Sequence, residues 1–178
     1  MCLLSSSIQL MPFTPFHLGP ALLFGLLTLR FLDFPTFFIA SIVLDLEPFA
    51  VLVFGLDCPL HGFFHSFIGG TIVALLLAPV MFRLNSPMRK AMGLLKLQQR
   101  SSRVSIMAGA ILGVYSHILL DAPLYTDIRP FYPLDFNPLL DVDVRIGLSP
   151  FAFCILCFLL GAALYGALLF GRSRKPEE

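Results

Sequence analysis

Four histidines and a few isolated carboxylates are the residues of this chain best suited to chemistry, and all lie next to long apolar segments. His61 and His65 are four residues apart in "PLHGFFHSFIGG", and His117 precedes Asp121 by four in "SHILLD". Residues spaced i,i+4 share one face of a helix, with Cβ atoms about 5–6 Å apart. Two donors at that spacing chelate one ion in helix-borne zinc sites, so both pairs predict metal ligands.

Further donors lie in other apolar blocks. His17 comes at the start of the first block, and Asp45 and Glu47 lie in "LDLEP" within the second. A regular helix would direct Asp45 and Glu47 about 200° apart. Pro48 disfavours the α conformation at Glu47 and removes a helical hydrogen bond. We therefore expect a helix break at Pro48 that turns both carboxylates inward.

Taken singly, each of these residues has a structural alternative. A lone histidine in an apolar segment is usually a packing residue, and Asp121 could cap backbone or pair with Arg129. A charge within a membrane span costs at least about 2.5–3.5 kcal/mol, so such groups normally face the bundle interior and share a site. Imidazole with carboxylate suits Zn²⁺, with Mn²⁺ and Fe²⁺ as alternatives. We predict a divalent metal, Zn²⁺ first, held by His17, Asp45, His65, His117 and Asp121, with His61 as a further ligand or as a residue that orients one.

The composition is that of a membrane protein. Of 178 residues, 57% are hydrophobic and 13% are charged, and the mean hydropathy is +0.87. Soluble domains carry about 25% charged residues. The net charge of +1 argues against a nucleic-acid partner. The cysteines show no disulfide spacing, and Cys154 and Cys157 lie in the last apolar block, where they pack as small hydrophobes.

The apolar residues form blocks near the length of a membrane span, about 20 residues. Residues 1–10 lack the basic start and the cleavage site of a signal peptide and are interpreted as an N-terminal extension, with Met11 as an alternative start. Residues 123–148 are acidic and proline-rich and predict an ordered cap. We predict an all-α polytopic membrane protein, a single membrane-embedded domain over residues 1–178, with about five transmembrane helices at 16–32, 36–55, 63–82, 104–122 and 149–170.

Basic residues predict the orientation of the bundle in the membrane. Residues 83–103 contain six basic residues and no acid, and the tail 171–178 is also basic, so the positive-inside rule places both in the cytoplasm. Residues 88–97 predict a short amphipathic helix on the inner leaflet. The N-terminus and the cap 123–148 are then outside a cell inner membrane, on the side of the histidines.

The motifs together resemble a known family. In their order and span placement, "HLG", "LDLEP", "HGFFHS" and "SHILLD" are similar to the inner-membrane metal-dependent hydrolases, also labelled LexA-binding, over about residues 11–140. This chain departs from the family pattern at Glu47, which replaces an Asp, at Gly62, which replaces an Arg, and in the short spacing from His17 to Gly19. The family is distantly similar to zinc-dependent phospholipase C and P1-type nucleases. That similarity implies a phosphoester or lipid-like ester substrate.

These observations lead to one functional hypothesis and two alternatives. We expect a membrane-bound hydrolase that uses metal-activated water, with Glu47 as the general base. Arg129 is the candidate for holding a substrate phosphate, with an ion pair to an Asp of its own loop as the alternative. A transporter or ion conductor would continue polar groups towards the cytoplasmic face, where apolar residues dominate. A non-catalytic membrane protein with a structural metal would have a closed, four-coordinate site.

Overall fold

All regular structure that the computed structural model describes is helical, as predicted for an all-α protein. The described residues are 15–141, 147 and 149–173, so the predicted N-terminal extension 1–10 and parts of the predicted cap and tail lie outside them. Short 3₁₀ turns at Pro15–His17, Val43–Asp45 and Phe63–His65 separate or precede the longer helices. The α-helices are α1 (Leu18–Leu27), α2 (Phe34–Ala40), α3 (Leu46–Phe54), α4 (Phe67–Arg83), α5 (Asn85–Leu94), α6 (Arg103–Asp121) and α7 (Pro150–Ser173).

Three helical segments are long and apolar enough to cross a membrane. They are Phe34–Phe54, which joins α2 to α3, the whole of α6, and Pro150–Gly171 within α7. Helices α4 and α5 bend by 74° at their junction and add a fourth span if the pair counts as one. The first predicted block, 16–32, forms the 10-residue helix α1. The described residues therefore support a helical membrane protein with three or four spans, and the predicted count of five is not confirmed.

Helix α6 lies at the centre of the bundle, between α2 and α4. Gly113 allows it to approach α2 closely, because a Cβ there would lie 2.6 Å from both the Phe37 carbonyl oxygen and the Ala40 Cβ. Small residues serve the same purpose at other membrane helix interfaces. His117 lies one helical turn beyond Gly113, so this close approach brings its ring against the end of α2.

The packing between the histidines and the opposite end of the bundle, where Asp33, Thr36 and Ser105 are buried, is apolar. Helix α5, the predicted amphipathic helix, begins and ends slightly earlier than expected, at Asn85–Leu94, and buries Met92 against Leu26 and Phe34. Small and aliphatic side chains fill the space between α2, α4 and α6, among them Ala40, Ala74, Ala78, Met81, Ile106 and Ala110.

The segment Phe34–Phe54 is broken near its middle. After α2 the chain passes through the turn Val43–Asp45, in which the Asp45 N–H bonds to the Ile42 carbonyl three residues back. The break therefore lies before Asp45, and the prediction that it occurs at Pro48 is wrong. Pro48 lies in the first turn of α3, where the missing N–H removes no helical bond.

Candidate metal centre

The six predicted metal ligands meet at one end of the bundle. The structure forms two groups of donors that share Asp121, and in each group the donor atoms lie within 4.8 Å of one another. All six residues are buried, with exposures of 0–6%. The first group, called the inner group below, consists of His17, Asp45, His117 and Asp121. The second, called the cavity group, consists of His61, His65 and Asp121.

Asp121 is the centre of the inner group. One carboxylate oxygen lies 3.1 Å from His17 Nε2, and the other lies 3.2 Å from His117 Nε2, across one turn of α6. An Asp45 oxygen lies 3.8 Å from the same nitrogen of His117. Zinc–nitrogen and zinc–oxygen contacts of about 2.0–2.2 Å place the donors of one ion roughly 3–4 Å apart. The spacing of the inner group therefore fits a metal ion.

Several ring nitrogens of the cluster are buried without a hydrogen-bond partner. Among the described residues these are both nitrogens of His17, Nε2 of His65 and Nε2 of His117. Two of them lie close to Asp121, but the atoms are not aligned as hydrogen bonds. An unsatisfied buried polar group costs about 1–3 kcal/mol, and native proteins leave few of them. These nitrogens and carboxylates form a donor set that suits a divalent cation.

Three of the histidine rings have a hydrogen-bond acceptor at Nδ1. The pairs are His117 with the Ser41 carbonyl at 2.9 Å, His65 with Glu47 Oε2 at 2.7 Å, and His61 with Asp127 Oδ1 at 3.0 Å. An acceptor in this position fixes the Nδ1–H tautomer and leaves Nε2 as the metal donor. Metal-binding histidines in other proteins have the same arrangement.

The break between α2 and α3 supplies both contacts of the His117 ring. Ser41 follows the last residue of α2, and its carbonyl accepts a hydrogen bond from His117 Nδ1. The turn after it directs the Asp45 carboxylate towards His117 Nε2. In an unbroken helix, carbonyl groups are used by the helix itself. The irregular segment therefore helps to position the site.

His61 and His65 lie close together although they do not belong to one α-helix. His61 lies in the loop after α3, His65 ends a 3₁₀ turn, and α4 begins only at Phe67. The prediction that i,i+4 helical spacing would align them is therefore wrong, although their rings lie edge to face with centroids 4.8 Å apart. Ser66 is extended and caps the first turn of α4, so the helix does not continue back to the histidines.

Glu47, the predicted general base, lies next to the His65 ring on its Nδ1 side. Its Oε2 accepts from His65 Nδ1, and its side chain is 17% exposed. Gly62 makes room for it, because a Cβ at Gly62 would lie 2.6 Å from Glu47 Oε1. Gly62 is therefore matched to the position of this carboxylate.

Asp127 belongs to the site, although the sequence analysis did not single it out. Its carboxylate accepts from the His61 backbone N–H at 3.0 Å and from the His61 ring. Burial acts to raise the pKa of Asp127, but these hydrogen bonds outweigh it and hold the pKa below its ordinary value. The one sequence signal was its place in the acidic segment 123–148.

Arg129 lies at the edge of the site and is engaged elsewhere. Its guanidinium donates to Asp135 at 2.7 Å, and both side chains are largely exposed. This is the ion pair within the loop that was the alternative to a role in phosphate binding. Asp143 and Arg145, further along the same acidic segment, lie outside the described residues.

A cavity of about 950 Å³ opens beside the cavity group. Its polar lining includes Glu47, Asp127, Arg129, Ser66 and Thr126, and His61 is the one predicted metal ligand that lines it. The remaining lining is mostly apolar and includes Val43, Leu46, Ala50, Val51, Leu56, Phe63, Phe64 and Tyr132. The site therefore has a buried side and a side that a ligand can reach.

Comparison with protein-family models, with curated proteins and with solved structures found no match to this chain. The resemblance to the inner-membrane hydrolases therefore stays a prediction. What the structure shows is a buried cluster of His and Asp side chains, compatible with a metal site, at one end of an apolar helical bundle.

Proposed function

We propose that this chain is a membrane-bound hydrolase that cleaves a lipid-like ester or phosphoester with metal-activated water. The observation that carries this proposal is the set of buried His and Asp donors, several with unpartnered nitrogens, beside an apolar cavity. We assign the cation as Zn²⁺, with Mn²⁺ and Fe²⁺ as alternatives that accept the same donors. Such an ion, when bound, polarises the scissile bond and lowers the pKa of a water molecule to about 7.

Glu47 can both orient a ligand and accept a proton. Its Oε2 is bonded to the His65 ring, whereas Oε1 lies 3.5 Å from the Phe64 N–H, too far for a strong hydrogen bond. The side chain also lines the cavity. In the proposed reaction, Glu47 accepts the proton of a water molecule that enters from the cavity. Asp127 holds the His61 ring in the same way that Glu47 holds the His65 ring.

The cavity favours a substrate with an apolar chain. Ligand pockets of about 300–1,000 Å³ hold drug-sized molecules, and this one is lined mainly by aliphatic and aromatic side chains. Helix α3, which forms one wall, exposes large apolar residues on its outer side: Leu46, Phe49, Leu52, Val53 and Phe54 are 48–73% exposed. A molecule dissolved in the bilayer can therefore reach the cavity and bring an ester group to His61. Arg129 would bind its anionic group after leaving Asp135.

The apolar packing between the cluster and Asp33, which is buried at the start of α2, argues against the ion or proton conductor considered above. A relay needs polar groups along the whole membrane path. Beyond the cluster, the described core between α2, α4 and α6 contains side chains such as Ala74, Ala78 and Met81. A purely structural metal predicts a closed site with four ligands, but the cavity group offers three and lies beside the cavity.

The proposal predicts hydrolysis that depends on a divalent cation. The purified protein is expected to hydrolyse at least one member of a panel of phospholipids, neutral lipid esters and phosphomonoesters. Chelation should abolish the turnover and added Zn²⁺ should restore it, measured by product release in detergent micelles. Asp135→Asn, which removes an exposed acid outside the cluster, is the matched control and should retain turnover. Turnover that survives complete metal removal would contradict the proposal.

We also place the site on the outer side of a cell inner membrane, with the N-terminus outside and the C-terminus cytoplasmic. The six basic residues of 83–103 support this orientation. A reporter fused after residue 95 should be cytoplasmic, and one inserted near residue 135 should be outside. The reverse result would move the cluster to the cytoplasmic leaflet.

A further inference from the structure

We propose that the cluster binds two divalent cations with different roles, one in the inner group and one in the cavity group, with Asp121 shared between them. The inference rests on the proposed metal-dependent function and adds the number of ions and their division of labour. It is carried by the arrangement of the donors, by their number in each group and by their access to the cavity.

The donor atoms are too numerous and too far apart to bind one ion. Zinc in proteins takes four ligands, and the inner group already contains four residues that offer one donor each. His61 and His65 do not join that group within 4.8 Å, yet they reach Asp121 within this distance. A single ion in the inner group would leave His65 Nε2 buried and without a partner. A second ion in the cavity group would engage it.

Asp121 has the chemistry to serve both ions. A carboxylate offers two oxygens with about four lone-pair sites, so one side chain can contact two cations. Asp121 is the one residue common to the two groups, and at the end of α6 it lies between His17 and His117. Hydrolytic enzymes with two-metal sites hold their ions about 3.5–4 Å apart, which is a separation that one carboxylate can bridge.

The two groups differ in ligand number and in access. The inner group has four residues, all at most 4% exposed, and none of them lines the cavity. Four protein ligands close a zinc site, which is the pattern of a structural ion. The cavity group has three residues, and His61 lines the cavity. Three protein ligands leave one position for water or substrate, so we assign catalysis to the cavity-side ion and cohesion of the bundle to the inner ion.

The test is the number of ions per chain in the full-length, detergent-purified protein loaded with Zn²⁺. The wild type is expected to hold two, measured by elemental analysis against amino-acid analysis. His61→Phe keeps a ring to pack against Tyr125, whose centroid is 4.2 Å away, but removes both nitrogens. This variant should hold one ion and lose turnover. In the wild type, chelator should remove one ion quickly and the other at least tenfold more slowly, because only one group opens to the cavity.

Two further variants keep the result interpretable. His17→Phe preserves a ring beside His117, at 4.3 Å between centroids, and should remove the slowly exchanging ion. Cys58→Ser removes an exposed thiol that could bind zinc adventitiously and should leave two ions. A wild type that holds one ion, unchanged by His61→Phe, would overturn this inference and leave the proposed function standing. A wild type that holds no ion would overturn this inference and the proposed function. Loss of both ions from His61→Phe would overturn the division into two groups.

Discussion

Asp121→Ala is expected to strip the cluster of metal and to abolish hydrolysis. Its carboxylate contacts His17 and His117 and is the one donor common to both groups. Changes to residues that only support a metal ligand cost about 10–100-fold in affinity. Removal of the shared ligand should therefore cost more than about 100-fold for each ion. Metal content, turnover and the response of the melting temperature to added Zn²⁺ are the measurements.

Two comparisons separate the loss of a ligand from general damage. Asp121→Asn keeps the shape and one oxygen, and should retain more metal than Asp121→Ala. Asp135→Ala deletes an acid whose partner is the exposed Arg129, an ion pair worth at most about 1 kcal/mol, and should leave metal content and melting temperature unchanged. If Asp121→Ala binds metal as the wild type does, the assignment of Asp121 as the shared ligand is wrong.

Glu47→Gln is expected to lower turnover by about 10²–10⁴ even in excess Zn²⁺, which keeps both ions bound. The amide keeps the size of the side chain and can still accept a hydrogen bond from the His65 ring, but it cannot take a proton from water. Positioned general bases contribute rate factors of this order. The experiment measures kcat and metal content on the same preparation, together with the pH dependence of kcat.

Asp127→Asn is the matched control, because Asp127 supports His61 as Glu47 supports His65. The Asp127→Asn substitution should weaken metal binding by about 10–100-fold. The turnover of this variant should largely recover when Zn²⁺ is in excess. Glu47→Gln should not be rescued by excess Zn²⁺. A loss of metal affinity from Glu47→Gln well beyond the roughly 10–100-fold expected of a supporting residue would make Glu47 a ligand, and Asp45 would then be the next candidate for the base.

The cluster itself could be predicted from the sequence because membrane burial restricts polar groups so strongly. For four histidines at the ends of apolar blocks, few positions other than a shared interior site have a low free-energy cost in the membrane. His117 and Asp121 lie in an unbroken helix, so their spacing directly predicted a contact, which the structure places at 3.2 Å. The all-α architecture followed from composition and block length in the same way.

The irregular parts of the site could not be predicted because long-range contacts determine them. The contact between His61 and Asp127 joins residues 66 positions apart, and nothing in the local sequence distinguishes Asp127 from the other acids of its segment. The break before Asp45 is coupled to the contact of Ser41 with His117, which depends on how α6 packs against α2. Pro48 indicated a break in this segment without indicating its position, and the spacing of His61 and His65 indicated a helix that does not form there.

The most direct test of the metal centre is X-ray absorption spectroscopy at the zinc edge on the loaded protein. We predict a first coordination sphere of nitrogen and oxygen atoms at about 2.0–2.2 Å, with outer-shell scattering from imidazole rings. The His17→Phe and His61→Phe variants, each expected to lose one ion, should keep about two imidazole rings per zinc, because the remaining group still contains two histidines. A sulfur shell at about 2.3 Å would place the zinc on cysteines instead, and a spectrum of hydrated zinc without imidazole scattering would contradict the metal centre altogether.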